Sequence, residues 1–282
     1  MNKWIIFAML YAVFSGIYNC TKKKAIEKNT VYEVLAVFST IAFLLVATIT
    51  RDAFDIDFKY LSIIFVKSLI ITFSWILSLK AIKKMSVSIY SLINLSKILF
   101  TIMLSVLFLK EKLTLTLILG VIIVIIGLFL VNKISNQSGS KEASLKSIIL
   151  LLIACFFSGV SSMIDKKILV HINSGQLQFW FLFFLSVLYW IVLLTRKQKI
   201  NTKALYKNYW ILTSAVVLII GDRFLFIATE MPESKMSLIT IINQLSAIET
   251  IILGRIIFKE KNIIKKLLCS ILIILGVVLT II

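Results

Sequence analysis

The sequence predicts an all-α, polytopic membrane protein with ten transmembrane helices arranged as two inverted five-helix repeats. Three observations support this prediction: the composition, a series of long apolar segments and a set of short motifs that recur. Of the 282 residues, 60% are hydrophobic and only 16% are charged, and the mean hydropathy is +1.03. Soluble domains have about 45 to 50% apolar and about 25% charged residues. We therefore expect this chain to be surrounded by lipid.

Ten apolar segments follow one another along the chain with short polar breaks between them. Each has about the 20 residues that a helix needs to cross roughly 30 Å of hydrocarbon. We number them spans 1 to 10, at residues 4–24, 31–50, 60–81, 86–109, 114–132, 147–168, 176–195, 208–229, 236–257 and 264–282. Span 1 has no small-residue cleavage site, so we expect it to be retained as part of the fold.

Short motifs in spans 1 to 5 recur in spans 6 to 10. Phe14-Ser15-Gly16 returns 143 residues later as Phe157-Ser158-Gly159, and Lys110-Glu111-Lys112 returns 149 residues later as Lys259-Glu260-Lys261. The same two offsets relate Lys23-Lys24 to Lys166-Lys167, Asn94 to Asn243 and Gly127 to Gly276. Because each unit holds an odd number of spans, the two halves must enter the membrane in opposite orientations. Inverted repeats of this kind enclose a shared cavity near the bilayer midplane.

The repeat divides the chain into three parts. Residues 1–135 form the first five-helix repeat, residues 136–146 a linker and residues 147–282 the second repeat. The linker lies in the one long stretch that is rich in Ser, Asn and Gly, a composition typical of connecting segments.

The motifs resemble a known family. An apolar helix that ends in Leu-Lys-Glu-Lys-Leu-Thr (109–114), a counterpart at 258–262 and a first helix with Phe-Ser-Gly are similar to the drug/metabolite transporter superfamily, and most closely to its EamA-type ten-helix permeases. The resemblance covers essentially the whole chain in two copies. The sequence departs from the family at Asn94-Leu95 and Asn243-Gln244, where a proline is expected, and it lacks the aromatic residue after the Phe-x-Gly turn.

The resemblance implies both a fold and a function. It implies a central cavity lined chiefly by spans 1, 3, 4, 6, 8 and 9, with spans 5 and 10 at the periphery. Members of the family move amino acids, organic cations, sugars or nucleotide-linked metabolites, and most bacterial members are regarded as exporters. We therefore expect a secondary transporter of the cell membrane that exports amino acids or related polar, zwitterionic compounds by alternating access.

Polar residues inside the spans are the candidates for a substrate site. A charged side chain in mid-span costs about 2.5 to 3.5 kcal/mol on insertion scales, so it requires a partner, a wet cavity or a function. Tyr90, Asn94, Lys97 and Thr101 recur at helical spacing on one face of span 4. The other candidates are Asn19 in span 1, Trp75 in span 3, Asp222 and Arg223 in span 8, and Asn243, Ser246 and Glu249 in span 9.

The four ions of this set, Lys97, Arg223, Asp222 and Glu249, sum to zero charge. A net-neutral cavity that bears both signs would suit a zwitterion, and the alternative is a buried structural ion network. A carboxylate that is taken out of water holds a proton more readily. We therefore take Glu249 as the first candidate for proton coupling and Asp222 as the second, and we expect Glu249→Gln to abolish proton-driven transport.

Other polar and small residues have structural interpretations. We expect Lys22 and Lys23 at the end of span 1 to extend to the membrane surface, and Glu111 and Glu260 to be interfacial structural charges. Gly120, Gly127 and Gly276 could permit close helix approach or a homodimer. Monomer and dimer remain open.

Several function classes lack the residues that they need. With a single histidine, His171, and three widely separated cysteines, the chain has no material for a metal cluster or a catalytic triad, and no nucleotide-binding loop is present. We therefore expect neither an enzyme nor a bound cofactor. The net charge of +18 is carried by loops and helix ends, which predicts contact with anionic lipid headgroups rather than nucleic acid.

Two alternatives and the membrane orientation stay open. The alternatives are a flippase-type or nucleotide-sugar-like carrier on the same fold and a non-transporting membrane scaffold, although a scaffold gives no reason for a charge at Lys97. The distribution of Lys and Arg between loops favours both termini outside, whereas the family resemblance implies both termini in the cytoplasm. We adopt the orientation that the resemblance implies.

Overall fold

The computed structural model describes residues 3–109, 144–196, 207–234 and 236–279, together with residues 115–116, 118–120, 122–123, 125–127, 130 and 205. All regular secondary structure in this part of the chain is helical. The elements are α1 (Lys3–Ala25), α2 (Val31–Ala47), α3 (Phe58–Lys83), α4 (Val87–Asn94), α5 (Lys97–Leu109), α6 (Leu145–Ile168), α7 (Ser174–Thr195), α8 (Tyr209–Glu230), α9 (Met236–Phe258) and α10 (Ile263–Leu279). The chain is therefore an all-α, polytopic membrane protein, as the sequence predicts.

Among the described residues, five helices are long and apolar enough, by length and composition, to cross a bilayer. They are α1, α3, α6, α7 and α8, and each has between 22 and 26 residues. The apolar helix α2 is shorter, with 17 residues. At 1.5 Å per residue it extends about 25 Å, somewhat less than the thickness of the hydrocarbon core.

Span 4 is not one helix, and the prediction of a continuous helix over residues 86–109 is wrong in this respect. It consists of α4 and α5, which are separated by a turn at Leu95 and Ser96. At the turn the amides of Leu95 and Ser96 donate to the carbonyls three residues earlier, at 3.3 and 3.0 Å. The hydrogen bonds at this turn are therefore of the 3₁₀ type, and no proline is involved.

Span 5, the Lys110-Glu111-Lys112 motif and linker residues 136–143 fall wholly or partly outside the described residues. All three glycines named above can be placed, and Gly120 is buried. Gly127 packs so closely on Ile273 of α10 that a Cβ atom there would overlap its side chain, and Gly276 is buried. The space at Gly127 is thus filled within the chain, so this glycine is not open for a dimer contact.

The repeat is visible in the way the helices begin. Thr30 caps α2 and Asn173 caps α7, and these residues are 143 positions apart. In each case the third residue of the helix, Glu33 or Gln176, bonds back to the amide of the capping residue, which completes a capping box. The second helix of each half therefore starts with the same local structure.

The repeat is also visible in the way helices end. Lys23 of α1 donates to the carbonyls of Ile82 and Met85 at the end of α3. Its repeat partner, Lys166 of α6, donates to the carbonyl of Thr229 in the last turn of α8 and to that of Ser234 in the loop that follows, at 3.1 and 3.3 Å. Each lysine thus satisfies carbonyl groups that a helix end leaves without an internal partner.

The two halves interdigitate. Helix α1 packs mainly on α8 and α9 of the second half, and the repeat-equivalent helix α6 packs on α3 and α5 of the first half; α2 packs on α7 across the approximate twofold axis. Helix α10 packs on α9, and the described part of span 5 meets α10 through Gly127. This arrangement leaves a space between the halves that neither half could form alone.

Candidate functional site

A cavity of about 160 Å³ lies between the two halves. It is lined by α1, α3, α4, α5, α6, α8 and α9, which correspond to the six spans that the family resemblance implies. Helix α1 contributes the longest stripe, since residues at helical spacing along one face all reach the cavity: Tyr11, Phe14, Ser15, Tyr18, Asn19 and Lys22. The walls combine hydroxyl, amide, ammonium and carboxylate groups with aromatic rings.

Nine of the eleven candidate residues line this one cavity. They are Asn19, Trp75, Tyr90, Asn94, Lys97, Thr101, Asp222, Asn243 and Ser246. The polar face predicted for span 4 therefore points into the cavity even though the helix is broken between Asn94 and Lys97. The break leaves Tyr90 and Asn94 on α4 and Lys97 and Thr101 on α5.

The structure does not place Glu249 in the cavity wall, contrary to the prediction. Its carboxylate lies against Gly16 of α1, where a Cβ atom would overlap it. On the next residue, Thr250, the hydroxyl accepts a hydrogen bond of 3.1 Å from the Asn19 amide. This part of α9 is thus occupied by its contact with α1, and Gly16 permits the close approach.

Arg223 also lies outside the cavity wall. Its guanidinium is next to Gly175 in the first turn of α7, 3.0 Å from where a Cβ of that residue would be. Neighbours in a helix point about 100° apart, so Asp222 can face the cavity while Arg223 faces α7. The predicted neutral set of four ions is therefore not assembled: Lys97 and Asp222 line the cavity, whereas Arg223 and Glu249 do not.

Lys22 is a cavity residue that the sequence reasoning assigned to the membrane surface, and that assignment is wrong. The side chain is buried, and its ammonium donates a hydrogen bond of 2.8 Å to the Tyr90 hydroxyl. It lies 4.8 Å from the ring centroid of Tyr18 and 4.5 Å from that of Tyr90, within the range of a cation–π interaction. The Tyr90 hydroxyl is also 2.7 Å from that of Ser78.

The repeat partners Asn94 and Asn243 both line the cavity but do not hydrogen-bond to each other. The Asn94 amide oxygen lies 3.5 Å from the Cys155 sulfur of α6. The Asn243 amide oxygen is buried, with no hydrogen-bond partner among the described residues. It is an acceptor that a bound molecule or water can satisfy.

Lys97 and Asp222 are the ions of the cavity wall with free polar atoms. Within the described part of the chain, neither the Lys97 ammonium nor the Asp222 carboxylate forms a salt bridge or a side-chain hydrogen bond. The nearby Thr101 hydroxyl donates its hydrogen bond, of 3.0 Å, to the backbone carbonyl of Lys97. Both charged groups are therefore available to a ligand.

A different ion pair lies between α3 and α6. Lys67, which is 1% exposed, forms a salt bridge with Asp165. Its ammonium also lies 4.0 Å from the ring centroid of Phe181 and 5.0 Å from that of Phe226. Sequence reasoning missed this pair, although a lysine in the middle of span 3 was a sufficient signal.

Glu260 has the structural role that the sequence suggests. Its carboxylate accepts hydrogen bonds from the amides of Val87 and Ser88 at 2.6 and 3.3 Å, at the start of α4. The buried ammonium of Lys266 lies 3.3 Å away. The carboxylate thus caps a helix of the other half. Its repeat partner Glu111 lies outside the described residues.

The cysteines and the histidine have no arrangement suited to metal binding. All three cysteines are buried and free, and His171 stacks on Tyr60. Among the described residues, no group of three potential metal ligands comes together.

Comparisons with known proteins agree with this architecture. The sequence model of the EamA-like transporter family matches residues 2–133 and again residues 145–282. An uncharacterized protein of Methanocaldococcus jannaschii is 32% identical over 140 residues, which are 48% of this chain and the whole of that protein. A solved crystal structure superposes with a TM-score of 0.69 over 98% of this chain and 95% of its own, at 10% identity. That similarity shows the fold alone.

Because the family model matches the chain twice and almost from end to end, the two halves each contain one copy of the family's unit. The chain belongs to the EamA-like transporter family.

Proposed function

We propose that this transporter carries a polar metabolite of amino-acid size through the cavity between its two halves, by alternating access. The observation that supports this proposal is a cavity built from both inverted repeats. Its wall presents the Lys97 ammonium and the Asp222 carboxylate, neither of which has a salt-bridge partner among the described residues. Ionisable groups inside a membrane mark substrate and ion pathways. Inverted repeats provide the two equivalent conformations that alternating access requires.

The volume of the cavity favours a small substrate. At about 160 Å³, it is below the roughly 300 to 1,000 Å³ of pockets that hold drug-sized ligands. An amino acid or a compound of similar size suits it better than a nucleotide-linked sugar. Export across the cell membrane, without a cofactor or an enzymatic activity, is the direction and setting that the family resemblance favours.

We propose Asp222 rather than Glu249 as the group that couples transport to protons. Asp222 lines the cavity, so its carboxylate can meet both the substrate and a proton from either side. Glu249 lies against Gly16 at the contact between α1 and α9. A proton carrier must be reachable from the transport path, which favours Asp222.

The test is transport by purified protein in proteoliposomes with an imposed pH gradient and a panel of radiolabelled amino acids. Asp222→Asn should abolish the stimulation by the gradient of whatever substrate exchange this variant retains. The matched control is Glu249→Gln, which removes the other candidate carboxylate and should keep the stimulation. Loss of stimulation in Glu249→Gln but not in Asp222→Asn would refute the assignment, and failure of the wild type to transport any of the panel would refute the proposed function.

A further inference from the structure

The charges of the cavity wall do not balance. Of the residues that line it, Lys22 and Lys97 carry ammonium groups and Asp222 carries a carboxylate. Two candidate ions, Arg223 and Glu249, do not line the cavity. Lys22 does line it, although sequence reasoning assigned this lysine to the membrane surface. The wall therefore presents two positive groups and one negative group to whatever occupies it.

Elsewhere in the described part of the chain, several buried or half-buried lysines already have partners within the protein. Lys67 is paired with Asp165 and Lys266 with Glu260, while Lys23 and Lys166 donate to carbonyls at helix ends. The two cavity lysines differ, because neither has a carboxylate partner among the described residues. Lys22 uses one of its three N–H groups on the Tyr90 hydroxyl, and Lys97 uses none.

The positions of the two ammonium groups suit one extended molecule. Lys22 is hydrogen-bonded to Tyr90 of α4, whereas Lys97 is the first residue of α5, beyond the break between the two helices. Asp222 faces the same cavity from α8, in the other half of the protein. The cations are therefore spread along one wall, and the anion comes from another.

We propose that the transported substrate is an acidic amino acid. Its two carboxylates lie at Lys22 and Lys97, and its ammonium lies at Asp222. The Asn243 amide oxygen, which has no hydrogen-bond partner among the described residues, is a further acceptor for that ammonium. This inference rests on the proposed function. Two carboxylates and one ammonium complement the charges of the wall group by group. A neutral amino acid of the same shape would leave one buried ammonium without a counter-ion, and such a mismatch discriminates strongly between isosteric ligands.

The experiment measures binding by competition in proteoliposomes, with radiolabelled glutamate in exchange and unlabelled glutamate, aspartate, glutamine, asparagine and lysine as competitors. Glutamate and glutamine have nearly the same shape, so their ratio reports the second carboxylate alone. We expect the acidic amino acids to compete at least about tenfold better than their amides, because a charge-assisted hydrogen bond to a buried group is worth that factor or more. In Lys22→Gln the preference should disappear, and in Lys22→Arg it should largely remain.

The matched control is Lys24→Gln, two residues along the same helix. Lys24 is partly exposed and pairs with Glu27 outside the cavity, so its replacement should leave the preference intact. Glutamine competing as well as glutamate in the wild type would overturn this inference while leaving the proposed function in place. Exchange of neutral amino acids without any exchange of glutamate would do the same. A wild type that exchanges no amino acid would refute both.

Discussion

At the scale of single residues, some charged side chains in or near the spans have a partner of opposite charge and others do not. Lys67 with Asp165 and Lys266 with Glu260 are neutralised by direct contact. Lys97 and Asp222 line the cavity without such a partner among the described residues. The first group holds helices together, and the second is available for transport. A hydropathy profile does not show which charged residues have a partner, because the partner comes from another part of the chain.

The pair of Lys67 and Asp165 permits a test of the first group. Lys67→Met should destabilise the protein by about 3 to 5 kcal/mol, because it leaves the buried Asp165 carboxylate without a counter-charge. The double variant Lys67→Met with Asp165→Leu should recover most of that loss, since no buried charge remains. Thermal unfolding of detergent-solubilised protein measures both effects. A double variant that is less stable than Lys67→Met would show that the pair does not act as a unit.

Glu249 and Lys22 are two residues whose positions relative to the cavity were not predicted correctly from the sequence. Sequence reasoning places Asn243, Ser246 and Glu249 of span 9 together on one face, toward the substrate site. The structure divides that face: Asn243 and Ser246 line the cavity, while Glu249 and Thr250 contact α1 near Gly16 and Asn19. Lys22 was assigned to the membrane surface because it is near a helix end, but the Tyr18 and Tyr90 rings hold it inside.

At the scale of elements, the break between α4 and α5 is the main departure from the predicted spans. Hydropathy predicts one apolar helix over residues 86–109, and neither glycine nor proline interrupts it. The break is made by backbone hydrogen bonds to the third preceding residue at Leu95 and Ser96. The family resemblance leads us to expect a proline at Asn94-Leu95. That expectation marks the position of the break, although the residues found there do not themselves predict one.

The lysines at the ends of α1 and α6 permit a test of symmetry at this scale. Lys23→Met and Lys166→Met should each lower the stability by about 1 to 3 kcal/mol, because each leaves helix-end carbonyls without a donor. Their neighbours provide matched controls: Lys24 and Lys167 do not bond to those carbonyls, and Lys24→Met and Lys167→Met should change stability by less than about 0.5 kcal/mol. The melting temperatures of the four variants measure whether these hydrogen bonds stabilise the protein. Equal losses at all four positions would contradict the capping role.

At the scale of the whole molecule, the inverted repeat was the most predictable feature. Offsets of 143 and 149 residues between short motifs identify it in the sequence, and equivalent contacts reproduce it in the structure: capping boxes at Thr30 and Asn173, and lysine caps at Lys23 and Lys166. The six cavity-lining spans followed from the family resemblance. The packing of one half against the other could not be predicted from the sequence, and this packing determines which residues line the cavity.

The two halves share a scaffold but differ in charge at equivalent positions. Lys97 is aligned with Ser246 by the offset of 149, and Lys22 with Asp165 by the offset of 143. Lys22 lines the cavity, whereas Asp165 is neutralised by Lys67. The two halves therefore share a scaffold but contribute different charges to the cavity between them.

The central claim is that the cavity between the halves binds the substrate, and Lys97 is its most direct probe. Purified wild type and Lys97→Ala should be compared in thermal-shift measurements against a panel of amino acids, amines and sugar phosphates. We expect at least one amino acid to raise the melting temperature of the wild type in a concentration-dependent manner, as binding to the folded state requires, and to have little effect on Lys97→Ala. A ligand that stabilises both proteins equally would contradict the claim.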